Sequence, residues 1–285
     1  MAEVATSATS DQLLVVIDPV ARRGDGESVR IAKDVLSAGA ATKLCLPDGP
    51  EEFARALARR GSRRPVVVGD DRALVRAVGL LHRQRELAGC ALSLVPVGGA
   101  LSLARSLGVP TGAVAAARAV LEGTERRLDL LVDDSDGVVL GALRIPPVPT
   151  APLRAPGPAE VGHPWLRTCQ SLVRTLVPAR PSRVAAASEA GPARLRVEVD
   201  GSTLVDLDLP VEAVSVTPGA PGTALVEVRP TSVGAEASPL LAEGRTVTVS
   251  GAHFRYRADA TVSGPVRTRT WTVQEAALGL VLPER

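Results

Sequence analysis

Between residues 13 and 132 short apolar runs alternate with stretches whose apolar residues recur at helical spacing, and this alternation constrains the fold more than any other feature. The strand candidates are 13–17 (LLVVI), 43–46 (KLCL), 64–69 (RPVVVG), 91–96 (ALSLVP) and 127–132 (RLDLLV). Helical patterns lie between them at 28–38, 51–60, 73–84, 101–107 and 113–122. In the second, Phe53, Ala54, Leu57 and Ala58 share one face, with acids at the N-terminal end and arginines at the C-terminal end, as the helix dipole favours. Apolar strands alternating with helices imply a parallel sheet covered on both faces, and right-handed crossovers then give a doubly wound α/β domain. Such sheets bind ligands at the carboxyl ends of their strands, here the turns after residues 17, 69 and 96.

The periodicity then changes. Residues 144–160 (IPPVPTAPLRAPGPAEV) hold prolines too dense for a helix or a central strand. A helix is expected at 163–177, closed by Pro178. From 194 onward LRVEVD, TLVDLDL, ALVEVRP, TVTVSG, FRYRAD, TRTWTV and LGLVLP alternate apolar and polar residues between Gly, Pro and Asp turns. That pattern predicts antiparallel strands, as a β-sandwich or flattened barrel. The expected division is an α/β domain over 1–143, a proline-rich linker with a crossing helix over 144–193, and a β-rich domain over 194–285.

Composition removes several functions. The net charge of +2 gives no general drive toward nucleic acid, and five aromatics are too few for a base-stacking platform. No apolar run approaches the roughly 20 residues of a membrane span. The start, MAEVATSATSDQ, lacks the basic and apolar regions of a secretory signal. Cys45, Cys90 and Cys169 lie far apart, so neither a disulfide framework nor a zinc site is expected and a reducing cytoplasm fits. His82, His163 and His253 have no carboxylate or cysteine at ligand spacing. The acidic run DLLVDDSDG (129–137) lacks the glutamate of a calcium loop and reads as a strand and turn.

The three turns carry what chemistry there is. In DPVARRGDGES (18–28), Gly24 and Gly26 could open a phosphate loop with Arg22 and Arg23 as donors, or the stretch is a flexible polar loop. In VVVGDDRALVRAV (66–78), a buried strand meets a helix through Gly69, Asp70, Asp71 and Arg72. In PVGGALSLARSLGVP (96–110), Gly98 and Gly99 permit close approach of a ligand, or simply a tight turn. No Gly-Lys-Ser/Thr occurs, which excludes an ordinary P-loop, and no Gly-x-Ser-x-Gly elbow supports a serine hydrolase.

The order and spacing of DPVARRGDG, GDDRAL, PVGGALSLARSLGVP, RLDLLV and RADATVSG resemble the diacylglycerol kinase catalytic family, the bacterial lipid kinases related to sphingosine and diacylglycerol kinases. The resemblance covers nearly the whole chain and is strongest in its frame, notably LARSLGVP. It implies that Gly69 and Asp71 match the first glycine and the aspartate of the family's Gly-Gly-Asp-Gly-Thr turn, with Asp70, Arg72 and Ala73 replacing its other residues. It implies that Gly98 is kept in the next motif, while Gly99, Ala100, Leu101 and Ser102 replace Thr, Gly, Asn and Asp. Asp259 matches the family's catalytic base, with Ala260 and Thr261 in place of Gly-Glu; from the residues alone it is equally a turn aspartate.

Two functions follow from the resemblance. In the first, the chain is a lipid kinase relative with an eroded ATP site, inactive or feeble, that binds a lipid or a partner protein. In the second it is a working ATP- and Mg2+-dependent lipid kinase. Asp259 is then the base, Asp71 part of the magnesium site, and Arg22, Arg23 and Arg72 phosphate donors with Gly69, Asp70, Gly98 and Gly99 forming the nucleotide turns. Expected partners are a lipid or peripheral membrane surface and a second copy in a homodimer, with no nucleic acid and a cytoplasmic location.

Overall fold

A computed structural model describes residues 12–147, 192–231 and 238–284. The chain runs β1 (Leu13–Ile17), α1 (Pro19–Gly24), α2 (Gly26–Gly39), β2 (Thr42–Cys45), α3 (Pro50–Ala58), β3 (Arg64–Gly69), α4 (Asp71–Arg83), β4 (Ala91–Pro96), α5 (Ser102–Ser106) and α6 (Ala113–Glu122). The four strands pair in parallel in the order β2-β1-β3-β4. Successive strand residues point to opposite faces, and both faces are covered. Leu14, Val16, Val67, Leu92 and Leu94 pack on Phe53 and Leu57 of α3 and on Leu74, Ala77, Val78 and Leu81 of α4. Leu13, Val15, Ile17, Val66, Val68 and Val95 pack on Val29, Ala32 and Leu36 of α2 and on Ala116, Ala117 and Val120 of α6. Burial on two sides is why these strands read as unbroken apolar runs.

The stretch 18–28 forms α1 and the start of α2. Asp18 accepts a hydrogen bond from the Val20 N–H (2.8 Å) and Pro19 occupies the first helical position, which starts α1. Asp25 then caps α2 through the Ser28 N–H (3.0 Å). Gly24 and Gly26 lie inside these helices with open space where a Cβ would be.

Then follow β5 (Thr124–Asp133), β6 (Val138–Val139), β7 (Leu143–Ile145), β8 (Ala193–Val199), β9 (Ser202–Val205), β10 (Pro210–Pro218), β11 (Ala224–Pro230), β12 (Leu240–Gly244), β13 (Thr246–Ala258) and β14 (Thr261–Leu282). Residues 144 and 145 of the expected linker thus belong to β7. The expected helix at 163–177, with His163 and Cys169, falls outside the described residues.

The antiparallel expectation holds, but the strands share one hydrogen-bonded path, β12-β11-β10-β7-β13-β14, with β8 also bridging β10 and β13. The path curls, so that β10 meets β5 and β11 meets β13 across a core of valines around Trp271. Trp271 stands edge-on to Tyr256, with ring centroids 5.2 Å apart. The end of β14 leaves this region. Gly279 and Leu280 pair in parallel with Ala91 and Leu92 of β4, while β5 lines the other side of β14. The final strand therefore ties the β-rich part to the parallel sheet and faces the β13–β14 hairpin toward the turns of the α/β part.

Gly69 ends β3 where the backbone passes closely between the first turn of α4 and Asp18. A Cβ there would lie 2.6 Å from the Ala73 Cβ and 3.0 Å from the Asp18 Cβ. We expect Gly69→Ala to destabilise the fold by about 1–3 kcal/mol through overpacking, read as a lowered urea midpoint with an unchanged slope.

Candidate functional site

At the carboxyl end of β3 the chain must turn into α4, whose first N–H groups have no partner within the helix. Asp70 supplies one: its Oδ1 accepts from the N–H groups of Arg72 and Ala73, both at 3.1 Å. Gly98, at φ +123°, passes beside it, in backbone space that favours glycine.

Asp71, the next residue, is buried and turns the other way. Its Oδ2 accepts from the Leu103 N–H (2.9 Å) and the Ser102 hydroxyl (3.2 Å), and its Oδ1 accepts from the Ala104 N–H (2.9 Å). The residue before α5 is Leu101, which has no capping atom, so Asp71 caps α5 from another helix. The Ser102 hydroxyl, at the start of α5, thus serves as a donor to Asp71.

Asp259 lies in the two-residue turn between Ala258 and Thr261, at φ +49°, a region aspartate tolerates. Its Oδ2 accepts from the Leu140 N–H (2.7 Å), and its Oδ1 accepts from the N–H groups of Gly141 (2.8 Å) and Ala142 (2.9 Å). Burial pushes the Asp259 carboxyl above its ordinary value against these three donors, and the Asp71 charge adds to the rise.

Asp71 and Asp259 line one cavity of about 540 Å³ together with Arg72, Ser102, Ser106, Gly141, Arg144 and Arg257. Among the sequence-selected residues, Asp71, Arg72 and Asp259 thus come together. Gly69, Asp70, Gly98 and Gly99 form the adjoining turns without lining the cavity. Arg22 and Arg23 do not reach it: Arg22 pairs with Asp48 (2.7 Å) in the loop before α3, and Arg23 is exposed. Arg76 is the guanidinium that meets the first turn, through the buried Asp18 (2.8 Å), with its plane near the Phe53 ring. Sequence reasoning missed Arg144 and Arg257. The alternation in FRYRAD carried a faint signal for the second, because Arg255 and Arg257 fall on the face opposite Phe254 and Tyr256.

The acidic run 129–137 is a turn scaffold. Asp133 accepts from the N–H and hydroxyl of Ser135, the Gly137 N–H and the Tyr256 hydroxyl. No cluster of His, Cys, Asp and Glu among the described residues has the shape of a metal site. No described helix is long and apolar enough to cross a membrane.

Residues 12–132 match the diacylglycerol kinase catalytic domain family, which bears out the resemblance read from the motifs. The fold is shared well beyond that segment. A candidate diacylglycerol kinase from Bacillus anthracis str. Sterne superposes with a TM-score of 0.69 at 14% identity, over 98% of this chain and 98% of that one. A diacylglycerol kinase structure from the same organism gives a TM-score of 0.65 at 12% identity, over 95% and 97% of the two chains. Comparison with curated proteins gives no match.

Proposed function

We propose that this chain, with a diacylglycerol kinase catalytic domain over residues 12–132, keeps the frame of a lipid kinase but not its nucleotide site. On this reading it acts by binding a lipid or a partner in its cleft. The observation that carries the reading is the Asp70 carboxylate on the Arg72 and Ala73 N–H groups. A helix N-terminus binds phosphate through such free N–H groups, and here a fixed anion already has them. At about 4 Å a second anion meets a repulsion of about 1 kcal/mol in water and about 4 kcal/mol at an effective dielectric near 20.

ATP and Mg2+, which the family implies, fit these residues poorly. Asp71 and Asp259 each already hold three donors, so little lone-pair capacity remains for a cation. The competing reading, an active ATP-dependent lipid kinase with Asp259 as base, draws support from one fact: Asp259 is a partly buried carboxyl that desolvation holds above its ordinary value, with the Asp71 charge adding to the rise.

Thermal unfolding with and without millimolar ATP and Mg2+ separates the two. A ligand at 100 times its dissociation constant adds about 2.7 kcal/mol and raises the midpoint visibly. The wild type should show no shift, and a clear one would sink the eroded-site reading. Asp70→Gly should cost only a few tenths of a kcal/mol while strengthening ATP binding by roughly fivefold or more, measured by calorimetry.

A further inference from the structure

The parallel sheet ends, on the side away from the β-rich part, at β2, which pairs with β1 and with no second strand among the described residues. The Leu13 N–H donates to the Ala41 carbonyl (2.9 Å). The alternation of a parallel ladder then turns the N–H and C=O groups of Lys43 and Cys45 toward β1 and leaves those of Thr42 and Leu44 facing outward. Edge strands are usually shielded by charge or by a covering element. Here leucines flank the open edge: Leu44 is 41% exposed and Leu46, just past the strand, 53%. Both lie on the α2 face, where the Thr42 hydroxyl meets that of Ser37 (3.0 Å). On the α3 face Lys43 and Cys45 line one hollow with Glu52, Arg55 and Arg59. These helix residues form a stripe beside the edge, with acid at its start and arginines toward its end. Glu52 meets Arg55 (3.6 Å), while Lys43 and Arg59 pair with no acid among the described residues.

We propose that β2 is the interface through which two copies of this chain form a dimer, β2 pairing antiparallel with itself about a two-fold axis at Leu44. Such an axis brings one patch against its own copy, so the patch must be self-complementary. This one is, in backbone, apolar surface and charge. The outward groups of Leu44 bond those of the partner's Leu44, with Thr42 opposite the partner's Leu46 and Lys43 opposite the partner's Cys45. The leucines cover one another on the α2 face. On the other face the axis sets the two α3 helices antiparallel, because α3 runs against β2 in each copy. The acidic start of one helix then meets the arginine end of the other, and Lys43 and Arg59 gain the partner's Glu52. A merely acidic partner would serve the cations but leave Glu51 and Glu52 facing like charge, which favours a second copy. The cavity at Asp71 and Asp259 stays open, because β1 and β3 separate β2 from β4 and the β-rich part.

Sedimentation velocity of the full chain over a range of concentrations should show a monomer–dimer equilibrium. Glu52→Arg and Arg59→Glu should each weaken self-association about tenfold, since the ion pairs across the axis become like-charge contacts. Mixed in equal amounts, the two variants should associate again, because each supplies the charge that the other lacks. A folding defect in either variant would not be repaired by mixing. The register is read by cross-linking. Lys43→Cys places a thiol opposite the partner's Cys45 and should give a disulfide-linked dimer with oxidised glutathione on a non-reducing gel. The wild type, whose Cys45 faces the partner's Lys43, lacks that link. A wild type that sediments as a monomer throughout, a dimer that neither charge variant weakens, a mixture that stays dissociated, or absence of the Lys43→Cys cross-link overturns the proposal.

Discussion

Replacing Asp71 by alanine should destabilise the protein by roughly 2–4 kcal/mol, the sum expected for a lost helix cap and buried donors left unpaired. Asp71 is 2% exposed and holds Ser102, Leu103 and Ala104. Water cannot replace the carboxylate without reaching a buried junction between α4 and α5. α5 spans only five residues and has no cap of its own, so it should fray with the substitution. Asp71→Asn retains one acceptor oxygen and should lose about half as much. Urea denaturation followed by circular dichroism gives the magnitude, and hydrogen exchange at Leu103 and Ala104 localises it. A loss under about 0.5 kcal/mol, the range of ordinary surface changes, would show that Asp71 is not the structural cap described here.

Asp259→Asn should cost about 1–3 kcal/mol, since the amide turns an N–H₂ toward backbone donors at 140–142 that need an acceptor. The pH dependence has a defined sign. A group whose folded value is raised contributes stability that is full below its unfolded value and is lost as pH rises through the folded one. The component from Asp259 should therefore be present at and below the ordinary carboxylate range near 3.8 and decline above it. The amide in the Asp259→Asn variant does not titrate, so the gap between wild type and variant should narrow as pH rises through that window. Asp133 acts in the opposite sense. Burial alone would raise it, but Ser135 and Gly137 outweigh burial and hold it below the ordinary value, so its contribution is lost as pH falls. Stability curves from pH 3 to 8 for wild type and Asp259→Asn isolate the first component. A gap that widens with pH would contradict the desolvated state of Asp259. The same variant serves the functional question: it abolishes turnover if the chain is a kinase with Asp259 as base, and changes only stability if the chain is a binding protein.

The frame of the α/β part was legible because burial writes itself into local periodicity. β1, β3 and β4 coincide with the apolar runs, and α4 and α6 with the helical patterns. α1 was hidden because its six residues are half polar and end in glycine, although Asp18 and Pro19 are a start signal. β10, PVEAVSVTP, has little signal of its own between two turn-rich stretches. The sequence pattern divides β13 and β14 into two strands each, because Gly251 and the bulge after Gln274 interrupt an alternation that the backbone carries through.

The candidate site divides along the same line. Position by position, the motifs led to Asp70, Asp71, Arg72 and Asp259, and the tertiary structure brings three of these into one cavity. What each carboxylate does was not legible. Asp70 bonds its own helix two and three residues on, which local sequence can express. Asp71 bonds residues 31 to 33 positions away, and Asp259 residues 117 to 119 positions away. Arg144 and Arg257 become neighbours only through strand register. The sequence by itself determined which residues are buried and in which element, because hydrophobic periodicity is a property of a few consecutive residues. Only the tertiary structure decided which donors answer each aspartate and which charges face each other, because those partners are chosen by long-range pairing that no short window contains.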